Sequence, residues 1–126
     1  MRLLLIDDNL EVLSALKDYC LATNLASFIA TASSGREALN ICSSEDFDGV
    51  VCDYEMPELD GIDVFTLMKE MVLKMPPFII FSGNVAMAKS IAQEKNLDIH
   101  ALINKPHFEQ LTHTLHEIKS QKDFRG

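Results

Sequence analysis

The chain has 126 residues, 48% hydrophobic and 24% charged, the size and balance of one ordinary globular domain, which excludes a disordered or fibrous chain. Eleven basic against nineteen acidic side chains leave a net charge of -8, which repels nucleic-acid phosphates and anionic membrane surfaces, so neither is expected as a direct partner. No apolar stretch is long enough to span a membrane, and Asp7 and Asp8 interrupt the opening before a signal-peptide core can form.

Taken in chain order, residues 3–6 form a short apolar run, the first predicted strand. Leu10, Leu13, Leu16 and Cys20 then recur at helical spacing and predict a helix with these four on its inner face. A second strand is expected over residues 28–32. Ser34-Gly35-Arg36-Glu37 has the pattern of a capping box and opens a helix reaching Ile41. A third strand, residues 50–52, is followed by a helix marked by Phe65, Met68 and Val72. Residues 78–81 form the fourth strand and about 85–95 the fourth helix. Residues 101–103 form the fifth strand, and a last helix runs from Phe108 to about Lys119 with Leu111, Leu115 and Ile118 on one side. From about residue 120 the chain is polar, and it is expected either to fray or to begin a linker to a further domain.

The runs are β-branched or bulky and are expected to be buried on both sheet faces. Strand and helix alternate five times, the pattern of a parallel sheet with helical crossovers, hence an α/β doubly wound sandwich. Periodicity does not determine strand order, although 2-1-3-4-5 is a common solution for five such units. Cys20, Cys42 and Cys52 form an odd set without Cys-x-x-Cys spacing, each in an apolar stretch; free buried thiols in a reducing cytoplasm are expected.

The chemistry collects where the strands end, at Asp7-Asp8, Asp53, Ser82 and Asn104-Lys105. Carboxyl ends of parallel strands border the ligand crevice of an open sheet, so these residues are expected to converge. Singly each has a plain explanation: Asp8 or Asn9 caps the first helix, Ser82 opens a turn, Lys105 is one more surface lysine. Those explanations leave their joint placement unaccounted for. Three carboxylates brought close together must bind a proton or a cation, and an all-oxygen ligand set suits a hard ion such as Mg²⁺. Cys52 adjoins Asp53 but alternation turns its side chain to the opposite face, into the core. A carboxylate nucleophile, a metal ion, a lysine and a hydroxyl make a site suited to phosphoryl transfer. No histidine stands at a strand end, and neither a Gly-x-Ser-x-Gly elbow nor a Walker phosphate loop is present.

The series Asp7-Asp8, Asp53-Tyr54-Glu55-Met56-Pro57 with Asp60-Gly61, Ser82-Gly83 and Lys105-Pro106 resembles the receiver domains of bacterial response regulators, the group that includes the chemotaxis regulator. The likeness covers essentially the whole chain. It implies a flavodoxin-like (βα)5 fold with Asp53 as phosphoacceptor. It implies Mg²⁺, with Mn²⁺ as an alternative, on Asp8, Asp53 and the backbone carbonyl of Glu55, with Asp7 acting through water. Ser82 would be the switch hydroxyl and Lys105 the phosphate partner, joined to Pro106 by what is commonly a cis peptide. The implied partners are a histidine kinase or histidine phosphotransfer protein, a downstream output protein or domain, and a second copy on phosphorylation. The implied role is that of a signalling domain, not an enzyme.

Two positions depart from the family's pattern. Leu102 stands where an aromatic residue is frequent three places before the lysine, and Glu55 adds negative charge two places after the acceptor. Aspartyl-phosphate phosphatases, a rival class, resemble a pattern with an Asp-x-Asp nucleophile motif and a cap insertion, which Asp7-Asp8 and the chain length do not match. A pseudo-receiver would normally have lost a site residue, and flavin binding is opposed by the acidic first loop. His107, His113 and His116 lie in or near the last helix, the latter two on one face without a carboxylate or cysteine to complete a metal site.

Overall fold

In the computed structural model, which describes residues 1–125, strands and helices alternate throughout: β1 (Arg2–Ile6), α1 (Leu10–Ala22), β2 (Phe28–Ala32), α2 (Gly35–Cys42), β3 (Gly49–Cys52), α3 (Gly61–Met71), β4 (Phe78–Ser82), α4 (Ala86–Glu94), β5 (Ala101–Asn104) and α5 (Phe108–Arg125). The strands form one sheet in the order β2-β1-β3-β4-β5, every pair parallel. This is the flavodoxin-like order expected from the sequence.

Alternation along the strands divides the core into two layers. Leu4, Ile6, Val50, Cys52, Phe78 and Ile80 face α2, α3 and α4, where they meet Ala38, Val64, Phe65, Met68, Ala88 and Ala92. Leu3, Leu5, Val51, Ile79, Phe81 and Ile103 face α1 and α5, where they meet Leu13, Leu16, Cys20, Leu111, Leu115 and Ile118. Cys52 therefore points into the core, away from the crevice its neighbour Asp53 borders. Cys20 and Cys52 are buried as expected, whereas Cys42 is only half-buried; burial pushes the thiols of Cys20 and Cys42 up to about 11, which favours the protonated form at neutral pH.

Not every strand is covered on both faces. The central β1, β3 and β4 are buried almost throughout, but Phe28 to Thr31 of β2 and Ala101 and Leu102 of β5 are partly exposed. These two strands are the sheet edges, and an edge residue lacks a neighbour on one side. Leu10 likewise misses the core at 68% exposure, because α1 begins beyond the end of β1 and its first residue overhangs the crevice.

The helix ends also differ from the simplest pattern. Ser34 caps α2 by accepting from the Glu37 amide, but the Glu37 carboxylate reaches Ser33 instead of closing a capping box. The reciprocal box belongs to α3, where Asp60 accepts from the Asp63 amide and Asp63 from the Asp60 amide. At the ends of α1 and α4, Asn24 and Asn96 adopt left-handed conformations, with φ 57° and 53°. Leu25 then donates back to Cys20 and Leu97 to Ala92, so two helices are stopped by the same αL device and the chain is returned to the sheet. The last helix continues past Lys119 to Arg125 where fraying was expected; Lys119 pairs with Asp123 one turn on, and Lys122 ties the helix to Asp48. No helix of the described residues is long and apolar enough to cross a membrane.

Candidate functional site

The site residues directly follow or end their strands, and the main chain holds them in place. The Asp7 amide donates to Ala32, the Asp53 amide to Ile6 and the Lys105 amide to Ser82, so the sheet ladders continue one step past the strand ends. Asp7 is thereby fixed beside Asp53, and Lys105 beside Ser82 one strand further on, although the sequence separates them widely. The Lys105–Pro106 peptide is cis.

One carboxylate oxygen from each of Asp7, Asp8 and Asp53 lies within 4.8 Å of the others. Lys105 enters this cluster from β5, its Nζ 2.7 Å from Asp7 Oδ2 and 3.5 Å from Asp53 Oδ2. The other oxygen of Asp7 accepts from the Asn9 amide at 2.9 Å, and Asp53 Oδ1 accepts from the Tyr54 amide at 2.7 Å. Asp7 thus has both oxygens engaged, whereas Asp8 is exposed and has no side-chain hydrogen bond among the described residues. Burial pushes the Asp7 carboxyl above its ordinary value, while the hydrogen bonds from Lys105 and the Asn9 amide pull the other way. Three carboxylates against one lysine leave the pocket short of positive charge, and the donor atoms are all oxygen. These residues fit a hard divalent cation.

Ser82 ends β4 almost fully buried, and its hydroxyl has no hydrogen-bond partner among the described residues. Glu55 is exposed beside Asp53, and its carbonyl accepts no backbone hydrogen bond among the described residues. Asp7, Asp8, Asp53 and Lys105 therefore come together through their side chains; Ser82 is joined to them through its carbonyl, which accepts from the Lys105 amide, and Glu55 stands at the same end of the sheet.

Of the two candidate caps of α1 it is Asn9 and not Asp8 that serves, accepting from the Glu11 and Val12 amides, which leaves Asp8 free to face the crevice. Two features were not anticipated. Gly61 lets the start of α3 lie directly on the chain leaving β3: a Cβ there would stand 2.5 Å from the Asp53 carbonyl oxygen, and the Gly61 amide donates to Tyr54 at 2.8 Å. The Asn104 side chain accepts from the Val85 amide at 3.3 Å and joins β5 to the start of α4. The histidines form no such centre. His113 pairs with Glu117, a carboxylate the sequence pattern had not suggested, yet the acidic triad is the one metal-capable group of three among the described residues.

The family model of the response regulator receiver domain matches residues 3–116. The chain belongs to the response regulator receiver domain family. Among its relatives is the transcriptional regulatory protein PrrA of Mycobacterium tuberculosis, 35% identical over 80 residues, which are 63% of this chain and 33% of that protein. Among solved structures, it resembles a response regulator receiver domain protein from Clostridium thermocellum with a TM-score of 0.80 and 26% identity, covering 99% of this chain and 98% of that one. It shares the fold of the receiver domain of the histidine kinase CKI1 from Arabidopsis thaliana, with a TM-score of 0.78 and 24% identity over 94% of this chain and 89% of that one. The receiver spans about a third of the length of the curated relatives it matches. Membership in the family makes it a signalling receiver domain of the two-component, phosphorelay type.

Proposed function

We propose that this receiver takes a phosphoryl group onto Asp53 from the phosphohistidine of a histidine kinase or histidine phosphotransfer protein, and that the change is passed to an output partner. The observation that carries the proposal is Lys105 Nζ lying between Asp7 and Asp53 in a cluster of three carboxylates. An Asp53 carboxylate oxygen forms the new bond to phosphorus while the nitrogen–phosphorus bond of the donor breaks, its electron pair leaving with the imidazole. No proton needs to be removed from the nucleophile, which is consistent with a site lacking a histidine.

Asp8, Asp53 and the Glu55 carbonyl would hold Mg²⁺ or Mn²⁺, with Asp7, its own oxygens already engaged, acting through water. When bound, the ion draws negative charge from the phosphoryl oxygens. The CKI1 receiver, which has the same fold, is complexed with Mg²⁺ and BeF₃⁻. Lys105 turns from the carboxylates to a phosphoryl oxygen, and the partner-free hydroxyl of Ser82 donates to another. The exposed Glu55 sets a negative charge at the entrance, which repels the phosphoryl group and any anionic nucleophile alike and so tunes the lifetime of the acyl phosphate. The domain is a phosphoacceptor that promotes only its own phosphorylation and dephosphorylation, works in the cytoplasm, and admits a phosphorylation-dependent dimer.

Replacing Lys105 separates its role from metal binding. The ammonium repels a divalent cation at short range, so Lys105→Ala is expected to bind Mg²⁺ at least as tightly as the wild type in a calorimetric titration. The same variant should lose most of its amide shift response to beryllofluoride, because the anion has lost its cationic partner. A large loss of Mg²⁺ affinity, or an unchanged response to beryllofluoride, would contradict the assignment.

A further inference from the structure

We infer that Asn104 is the residue through which the site acts on α4: its side chain holds the start of that helix in the resting state and lets go when Ser82 and Lys105 turn to a phosphoryl group. This rests on the proposed phosphoacceptor role of Asp53 and adds to it a positioning residue outside the motifs.

A helix start leaves amides that must find acceptors. In α4 the cap position is Val85, whose side chain can accept nothing. Asn84 supplies one oxygen, to the Ala86 amide at 3.1 Å. The Val85 amide is met by Asn104, from a different element and 19 residues away in sequence. Val85 is buried while Gly83 and Asn84 before it are exposed, so the Asn104 contact joins the loop to the sheet at the point where it turns into helix.

The placement of Asn104 connects that contact to the site. In the register of the sheet, Asn104 is the direct partner of Ser82. In the chain it precedes Lys105, whose amide donates to the Ser82 carbonyl at 2.8 Å. The two groups expected to meet the phosphoryl oxygens therefore flank Asn104 across the sheet and along the chain. Leu102 lies two residues earlier on the same face of β5 and packs against the core layer that includes Ala88 and Ala92 of α4. It has neither a hydroxyl nor a ring that could exchange one partner for another. A phosphoryl group shifts a conformational equilibrium only through contacts that differ between the two states, and among the described residues the Asn104–Val85 hydrogen bond is the polar side-chain contact from β5 to the start of α4 able to differ.

The test uses Asn104→Ala, which removes the acceptor, and Asn104→Asp, which keeps one in the same position. Because Asn104 is exposed and outside the core, both variants are expected to fold. Amide spectra are recorded with Mg²⁺, with and without beryllofluoride, and phosphoryl uptake at Asp53 from acetyl phosphate is followed in parallel. In Asn104→Ala the resting signals of residues 83–88 should already be displaced toward their beryllofluoride positions, and the further displacement on adding the anion should fall to under about half of the wild-type value. Asn104→Asp should restore the resting positions, and Asp53 should accept the phosphoryl group in all three proteins. A response of wild-type size at Val85 to Ala88 in Asn104→Ala would overturn the coupling while leaving the phosphoacceptor role standing. A wild type that neither takes up phosphate nor responds to beryllofluoride would overturn the phosphoacceptor role, and the coupling with it.

Discussion

Removing divalent cations with EDTA is expected to slow labelling of the protein by acetyl phosphate by about a hundredfold or more. The reason is charge. Asp7, Asp8 and Asp53 bring three carboxylates within 4.8 Å, and Lys105 is the one cation among the described residues that enters the cluster. The resting site is already short of positive charge, and a dianionic phosphoryl donor must approach Asp53 through it. Lys105 cannot neutralise the acids and the donor together, since its ammonium is already shared between Asp7 and Asp53. Rates measured from intact mass against time, with Mg²⁺ and with EDTA, decide the point; undiminished labelling in EDTA would show that Lys105 alone is sufficient.

Gly61→Ala is expected to destabilise the fold by about 3 kcal/mol, read from urea unfolding. The new Cβ would stand 2.5 Å from the Asp53 carbonyl oxygen and 3.1 Å from the Tyr54 Cα, and neither is the movable end of a side chain. To relieve the clash, α3 must lift from the end of β3, which also lengthens the hydrogen bond from the Gly61 amide to Tyr54. The variant should therefore label slowly even at temperatures where it stays folded, because the segment that moves carries the phosphoacceptor. Gly83→Ala is the control: a Cβ there meets nothing within 4 Å, and its stability should stay within about 0.5 kcal/mol of the wild type. Equal stability of the two variants would mean that α3 does not sit on the β3 end as closely as described.

The fold and the acidic cluster were legible in the sequence because both depend on period and position. Short apolar runs ending in Asp7, Asp53, Ser82 and Lys105 read as strands of a parallel sheet, and the crevice follows from where such strands end. Edge exposure was not legible: Phe28 and Leu102 look as apolar as Val50 and Ile80, and only the strand order puts β2 and β5 outside. The stops at Asn24 and Asn96 were missed because a lone asparagine gives no sign of a left-handed conformation before its helix is placed. The capping box was assigned to Ser34 when Asp60 and Asp63 form it, since aspartates after a proline read first as a turn. Asn104 was legible at the end of its strand, but its contact with the start of α4 was not, for a different reason. Its partner Val85 is brought to it by the pairing of β4 with β5, which no local pattern encodes.

The central claim is that Asp53 receives the phosphoryl group, and mapping the modified residue tests it most directly. The protein is incubated with acetyl phosphate and Mg²⁺, the acyl phosphate is trapped by borohydride reduction, and peptides are sequenced by mass spectrometry. The account predicts a single modified residue, Asp53, and no uptake in Asp53→Asn. Modification at Asp7 or Asp8 in the wild type, or equal labelling of Asp53→Asn, would contradict it.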